Sequence, residues 1–144
     1  MSIKRRRFYL AHPFNSRRAV REREILCETM HSDIDLVNPF YDVKDRTDTQ
    51  QIDEGKMGRY EPESTQLVER DLDTIYSCDA LLAIISPNCG FSCGTPMEIV
   101  YAYLHKIPIY IIALNGHEDH PWLRYHATRI FKGWKEFEIE VLGS

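Results

Sequence analysis

Two carboxylates, Asp71 and Glu98, stand out by position before any element is assigned. Asp71 lies four residues after Leu67 and four before Ile75. The helical recurrence of Leu67, Val68, Leu72, Ile75 and Tyr76 therefore puts it on or beside an apolar stripe. A carboxylate is costly to bury without partners, so this one either bonds a neighbouring loop at the stripe's edge or serves chemistry. Glu98 closes the run Thr95-Pro96-Met97-Glu98, which reads as a helix start with Thr95 as cap and Pro96 first. In one reading Glu98 completes a capping box and serves only the helix end. In the other, the positive end of the helix keeps the carboxylate ionised and aims it at a ligand, where it can act as a nucleophile.

The loop before that helix, Gly90-Phe91-Ser92-Cys93-Gly94, is rich in small residues. Backbone N–H groups there can approach an anion, and Ser92 adds a hydroxyl. Arg17 and Arg18 open an earlier helix. They read either as surface charge or as an Arg fork for phosphate. Cys89-x3-Cys93 lacks the further ligands of a structural zinc site, so no metal or other cofactor is expected. A Ser-His-Asp centre lacks its elbow motif, and Cys-His nucleophilic catalysis lacks support. By default His12, His117, His120 and His126 are unassigned polar residues, and Trp122 and Tyr125 are packing residues.

The elements that must position these residues follow from the pattern. Strands are expected at Arg7–Ala11, Ile34–Val37, Ala80–Ile85, Ile107–Leu114 and Arg129–Trp134. The runs ALLAII and IPIYIIAL are apolar without alternation, which suggests strands buried on both faces. Helices are expected from Ser16 or Asn15, as cap, to about Met30; from Pro62 through Tyr76; from Thr95-Pro96 onward; and near Trp122–Thr128. In the third helix Met97, Val100, Tyr101 and Leu104 form the apolar stripe. The polar stretch Tyr41–Glu61 reads as a long loop, a candidate lid. This alternation predicts an α/β fold: a doubly wound, five-stranded parallel sheet in the flavodoxin-like order 2-1-3-4-5, helices on both faces. Its ligand crevice lies between the ends of strands one and three, flanked by His12–Ser16 and Ser86–Gly94.

The chain's 144 residues suit a single domain spanning 1–144. Eighteen Lys+Arg against 22 Asp+Glu give net −4, which argues against a nucleic-acid polymer as partner. The charge is uneven: residues 1–30 carry eight basic and three acidic residues, net +5, whereas residues 31–80 are net −8. The basic start can meet an anionic ligand or form a solvated face. No apolar run approaches the roughly 20 residues of a membrane span, and the start lacks the features of a secretory signal. Four dispersed cysteines, Cys27, Cys78, Cys89 and Cys93, are expected as reduced thiols in a cytoplasmic protein.

Four segments together resemble the nucleoside 2-deoxyribosyltransferase family. They are Phe8-Tyr9-Leu10-Ala11-His12-Pro13-Phe14, Arg70-Asp71-Leu72 with Cys78-Asp79-Ala80, Cys93-Gly94-Thr95-Pro96-Met97-Glu98-Ile99, and Lys106-Ile107-Pro108. The resemblance spans roughly residues 8–134. It implies a double displacement at the anomeric carbon, with Glu98 as nucleophile, Asp71 helping to protonate the departing base, and Tyr9 orienting Glu98. The logic parallels retaining glycosidases. The transferases usually carry an Asp shortly before the GTxxE segment. Relatives that hydrolyse nucleoside 5′-monophosphates carry Ser there, and this chain has Ser92. A hydroxyl can donate to a phosphate that a carboxylate would repel. Arg18 aligns with a phosphate-contacting Arg of those hydrolases. Ser16, Arg17, His12 and Gly94 complete the expected substrate-binding set, with Arg17 and His12 standing where the family usually has small residues. By the same resemblance His120 and Trp122 reach a neighbouring subunit's site, so a homodimer or higher homo-oligomer is expected.

The expectation is an N-glycosidase of (deoxy)nucleoside 5′-monophosphates. Its rivals are a deoxyribosyltransferase exchanging bases on free deoxynucleosides, a phosphoribohydrolase of the cytokinin-activating kind, and a non-catalytic nucleotide-binding module.

Overall fold

The structure is a computed structural model and describes residues 5–40, 64–86 and 93–143. The candidate lid Tyr41–Glu61, Pro62, Cys89 and Ser92 lie outside the described residues.

The strands are β1 (Arg6–Ala11), β2 (Ile34–Val37), β3 (Ala80–Ile85), β4 (Ile109–Ala113) and β5 (Arg129–Phe131). The helices are α1 (Arg17–Met30), α2 (Ser64–Ser77), α3 (Gly94–Leu104), α4 (Pro121–His126) and α5 (Trp134–Leu142), with a 3-10 turn at Phe14–Ser16. The five strands form one parallel sheet in the order β2-β1-β3-β4-β5, as expected. Beside β1, Tyr9 pairs with Leu81 and Ala11 with Ala83.

Strand alternation divides the core into two layers. Phe8, Leu10, Leu82 and Ile84 pack with Val20 and Cys27 of α1 and Trp134 and Phe137 of α5. Tyr9, Ala11, Leu81 and Ala83 pack on the other face with Ile75 of α2 and Ile99 and Ala102 of α3. The odd residues of β1 thus point at the helices that carry Asp71 and Glu98. Asp79 ties this arrangement at its base, its carboxylate accepting from the Arg7 N–H at 2.8 Å. No helix among the described residues is long and apolar enough to cross a membrane.

Three local expectations are corrected. The stripe of α3 expected in the core is largely solvent-facing, with Met97 66%, Val100 40% and Leu104 70% exposed, and only Tyr101 partly packed. The buried side is instead Thr95, Ile99 and Ala102. This helix is apolar nearly all round, so periodicity alone cannot choose its inner face. The last strand stops at Phe131 rather than Trp134, because Gly133 caps α5 and Trp134 and Phe137 turn into the core from it. Trp122 and Tyr125, expected as packing residues, are 72% and 68% exposed.

Candidate active site

Tyr9, Asp71 and Glu98 converge from three elements. The Tyr9 ring is buried beneath the sheet face, and its hydroxyl donates a hydrogen bond to Oε2 of Glu98. Asp71, on α2, acts electrostatically on both groups. Arg70 forks onto the same Asp71 oxygen, with Nε at 3.3 Å and Nη2 at 3.2 Å, and Nη2 also reaches the Pro39 carbonyl at 3.5 Å. Its cationic field reaches Tyr9 as well, opposing the two carboxylates. Sequence reasoning left Arg70 out of the site, although its adjacency to Asp71 was the available signal.

The capping box is not formed. Helix α3 begins at Gly94 with Cys93 in the cap position, and no side chain bonds the cap. Glu98 therefore lies beyond the helix's first orphan N–H groups, and its carboxylate is engaged by Tyr9. Nor does the helix end keep it ionised. Burial pushes its carboxyl up to about 8, and the charge of Asp71 adds to the rise. The Tyr9 hydrogen bond opposes them and does not win. Tyr9 is itself raised well above the usual phenol range, first by burial and then by the two carboxylates, so it remains a hydrogen-bond donor at neutral pH.

The segment after β1 carries the next group of expected residues. His12 is buried, with Nδ1 3.2 Å from the Pro13 carbonyl and its ring 5.0 Å from that of Phe40. A carbonyl only accepts, so Nδ1 carries the proton in this contact. Nε2 is buried and makes no hydrogen bond of ordinary geometry, while Asn38 and the Pro13 carbonyl both act on the ring against the lowering that burial causes. Burial lowers the ring to about 4, which keeps it neutral. Ser16 occupies the cap position of α1, but its hydroxyl donates to the Pro13 carbonyl at 2.9 Å and makes no cap bond. It stabilises the 3-10 turn instead of the expected helix cap. Arg17 and Arg18 are the first two residues of α1, Arg17 half-buried and Arg18 exposed. With no acidic residue in that first turn, the positive helix end and two guanidinium groups reinforce one another. Gly94 is exposed, and a Cβ there would meet nothing within 4 Å, so close packing within the protein does not require glycine.

His120 and Trp122 belong to the start of α4. His120 caps α4, its Nδ1 accepting from the Trp122 N–H at 3.3 Å. The sequence carried no signal of a buried polar pair between α1 and the end of β2. Glu24, fully buried, accepts from Asn38 Nδ2 at 2.6 Å and lies 3.3 Å from Arg21. A cleft of about 360 Å³ beside β5, lined by Glu118, Arg124, Arg129 and Lys132 among others, holds none of the candidate residues.

The arrangement brings together a buried carboxyl group, a phenol that holds it, and a second carboxylate that acts on both. Comparison with known proteins agrees in kind. The sequence profile of the nucleoside 2-deoxyribosyltransferases matches residues 8–122. Among solved structures, a 2-deoxyribosyltransferase from the psychrotolerant bacterium Bacillus psychrosaccharolyticus is similar with a TM-score of 0.67. The identity is 20%, over 92% of this chain and 90% of that one. A conserved protein from Enterococcus faecalis V583 is similar with a TM-score of 0.61 and 16% identity, over 90% and 92% of the two chains. At these identities the likeness concerns the fold. No curated protein sequence matches significantly.

Proposed function

The chain belongs to the nucleoside 2-deoxyribosyltransferase family, enzymes of base exchange or glycosidase-type chemistry on nucleosides, and we propose that this member hydrolyses the base–sugar bond of (deoxy)nucleoside 5′-monophosphates. In the first step an oxygen of ionised Glu98 bonds to C1′ while the C1′–N bond breaks. The departing base takes a proton delivered on the Asp71 side. In the second step water attacks C1′, loses a proton, and releases Glu98 as a carboxylate with the sugar phosphate. Tyr9 holds the nucleophile by its O–H in both steps. Base transfer differs only in that a second base, rather than water, resolves the ester.

The observation that carries the reading is the Tyr9–Glu98 hydrogen bond. It holds the carboxylate toward a neighbouring strand instead of its own helix end, with Asp71 near enough to disturb its proton. The phosphate is supported by the two guanidinium groups at the start of α1 and by the type of residue 92.

The working unit in this proposal is a homodimer or higher homo-oligomer. Met97, Val100, Tyr103 and Leu104 of α3 are exposed beside exposed Trp122 and Tyr125 of α4, and the Tyr103 and Tyr125 rings lie 5.5 Å apart. An apolar face of this kind is unusual on a monomer, and a second copy bringing His120 and Trp122 to its partner would cover it.

A panel of nucleosides and their 5′-monophosphates, followed by chromatography for free base, tests the substrate class. Monophosphates should release base faster than the matching nucleosides. Equal rates, or base exchange without net hydrolysis, would refute the proposal.

A further inference from the structure

A second cluster of reactive side chains lies at the far end of α1, about 20 Å from the start of that helix by its length in residues. Cys27 and His31 stand one helical turn apart, and Glu138 of α5 faces them. A ligand atom from each lies within 4.8 Å of the other two. His31 Nε2 and Glu138 Oε2 are 3.7 Å apart. Cys27 is fully buried and His31 nearly so.

We propose that Cys27, His31 and Glu138 form a binding site for a divalent transition metal of the zinc class, which fastens the C-terminal helix α5 to α1. Zinc–ligand bonds of about 2.0–2.3 Å put tetrahedral ligand atoms roughly 3.3–3.7 Å apart. The His–Glu pair already has that spacing, and the widest pair must close by about 1 Å. Soft sulfur, imidazole nitrogen and carboxylate oxygen together favour zinc over magnesium or calcium. The charges also balance: a thiolate and a carboxylate neutralise a divalent ion, and neutral His31 adds none, so the occupied site suits a buried setting. On binding, the S–H bond of Cys27 breaks, its proton leaves to solvent, and a metal–sulfur bond forms. His31 and Glu138 each donate a lone pair. Without metal, burial and the carboxylates of Glu138 and Glu28 push the thiol up to about 12, which leaves it inert. The absence of metal expected from the sequence considered only ligands near Cys89 and Cys93. This cluster joins opposite ends of the chain through the fold.

The test is titration of chelator-treated protein with Co²⁺, then Zn²⁺. One equivalent of Co²⁺ should raise a thiolate-to-cobalt charge-transfer band that Zn²⁺ abolishes. Saturating Zn²⁺ should raise Tm by about 5–10 °C. The band should vanish in Cys27→Ser and persist in Cys93→Ser. Should Cys27→Ser fail to fold, His31→Gln carries the test and should lose the Tm rise. Glu98→Gln should bind metal like the parent, which separates this site from the catalytic reading. No band, a band that survives Cys27→Ser, or a Tm indifferent to Zn²⁺ would overturn the proposal.

Discussion

The carboxyl of Glu98 is held in an environment that disfavours its charge, so replacing it should stabilise the protein while abolishing turnover. Burial carries it from an ordinary 4.5 to about 8. At 1.36 kcal/mol per pH unit, that rise is about 5 kcal/mol when the group is fully ionised. Glu98 is half-buried, and solvent screening reduces this to about 2–5 kcal/mol. The folded protein holds this proton longer than the unfolded chain does. Stability contributed by the group is therefore complete below pH 4.5 and is lost as pH rises toward 8. Glu98→Gln has no proton to lose and can still accept from Tyr9. Thermal melts of both proteins at pH 5, 7 and 9 should show a small difference at pH 5 that grows with pH. At pH 9 the variant should melt roughly 5–15 °C higher. A difference that does not change with pH, or a variant less stable at pH 9, would refute the reasoning, because the carboxylate would then be at ease in its site.

In the proposed mechanism the same proton governs rate. kcat/KM should climb with pH up to about 8 and level off, since only ionised Glu98 attacks. Tyr9→Phe removes the hydrogen bond that lowers this value, so its profile should move to higher pH with a loss of about 10²-fold at neutral pH. An unmoved profile would remove Tyr9 from the mechanism. Arg18→Ala and Ser92→Asp should each reduce kcat/KM for monophosphates about tenfold or more while leaving nucleosides little changed; equal losses for both substrates would argue against a phosphate site. Leu104→Glu, which puts a charge on the exposed face of α3, should sediment as a smaller species with reduced activity. An unchanged sedimentation coefficient would place the subunit contact elsewhere.

Much of this arrangement is legible in the chain because its signals are local and mutually consistent. ALLAII cannot show a polar face, so β3 had to be central, and the alternation of strands and helices then left few topologies. Asp71 broke an apolar stripe, and the structure places it beside Glu98's proton. What was not legible depends on contacts distant in sequence. The charge state of Glu98 follows from packing beneath β1, which outweighs the helix end. The inner face of α3 is chosen by its neighbours, since Met97 and Ile99 are equally apolar as letters. Helix α5 is obscured because Phe137, Ile139 and Val141 alternate with Glu138 and Glu140 as a strand would, while only Trp134 and Phe137 mark the helical turn. The convergence of Cys27, His31 and Glu138 needs the whole fold to bring it about.

The central claim is that residue 98 bonds covalently to the sugar. Rapid acid quenching during turnover of a 5′-monophosphate, followed by peptide mass spectrometry, tests it most directly. We expect the peptide holding Glu98 to gain the mass of the sugar phosphate less water, with no such gain in Glu98→Gln. An adduct on another residue, or undiminished turnover by Glu98→Gln, would contradict the mechanism.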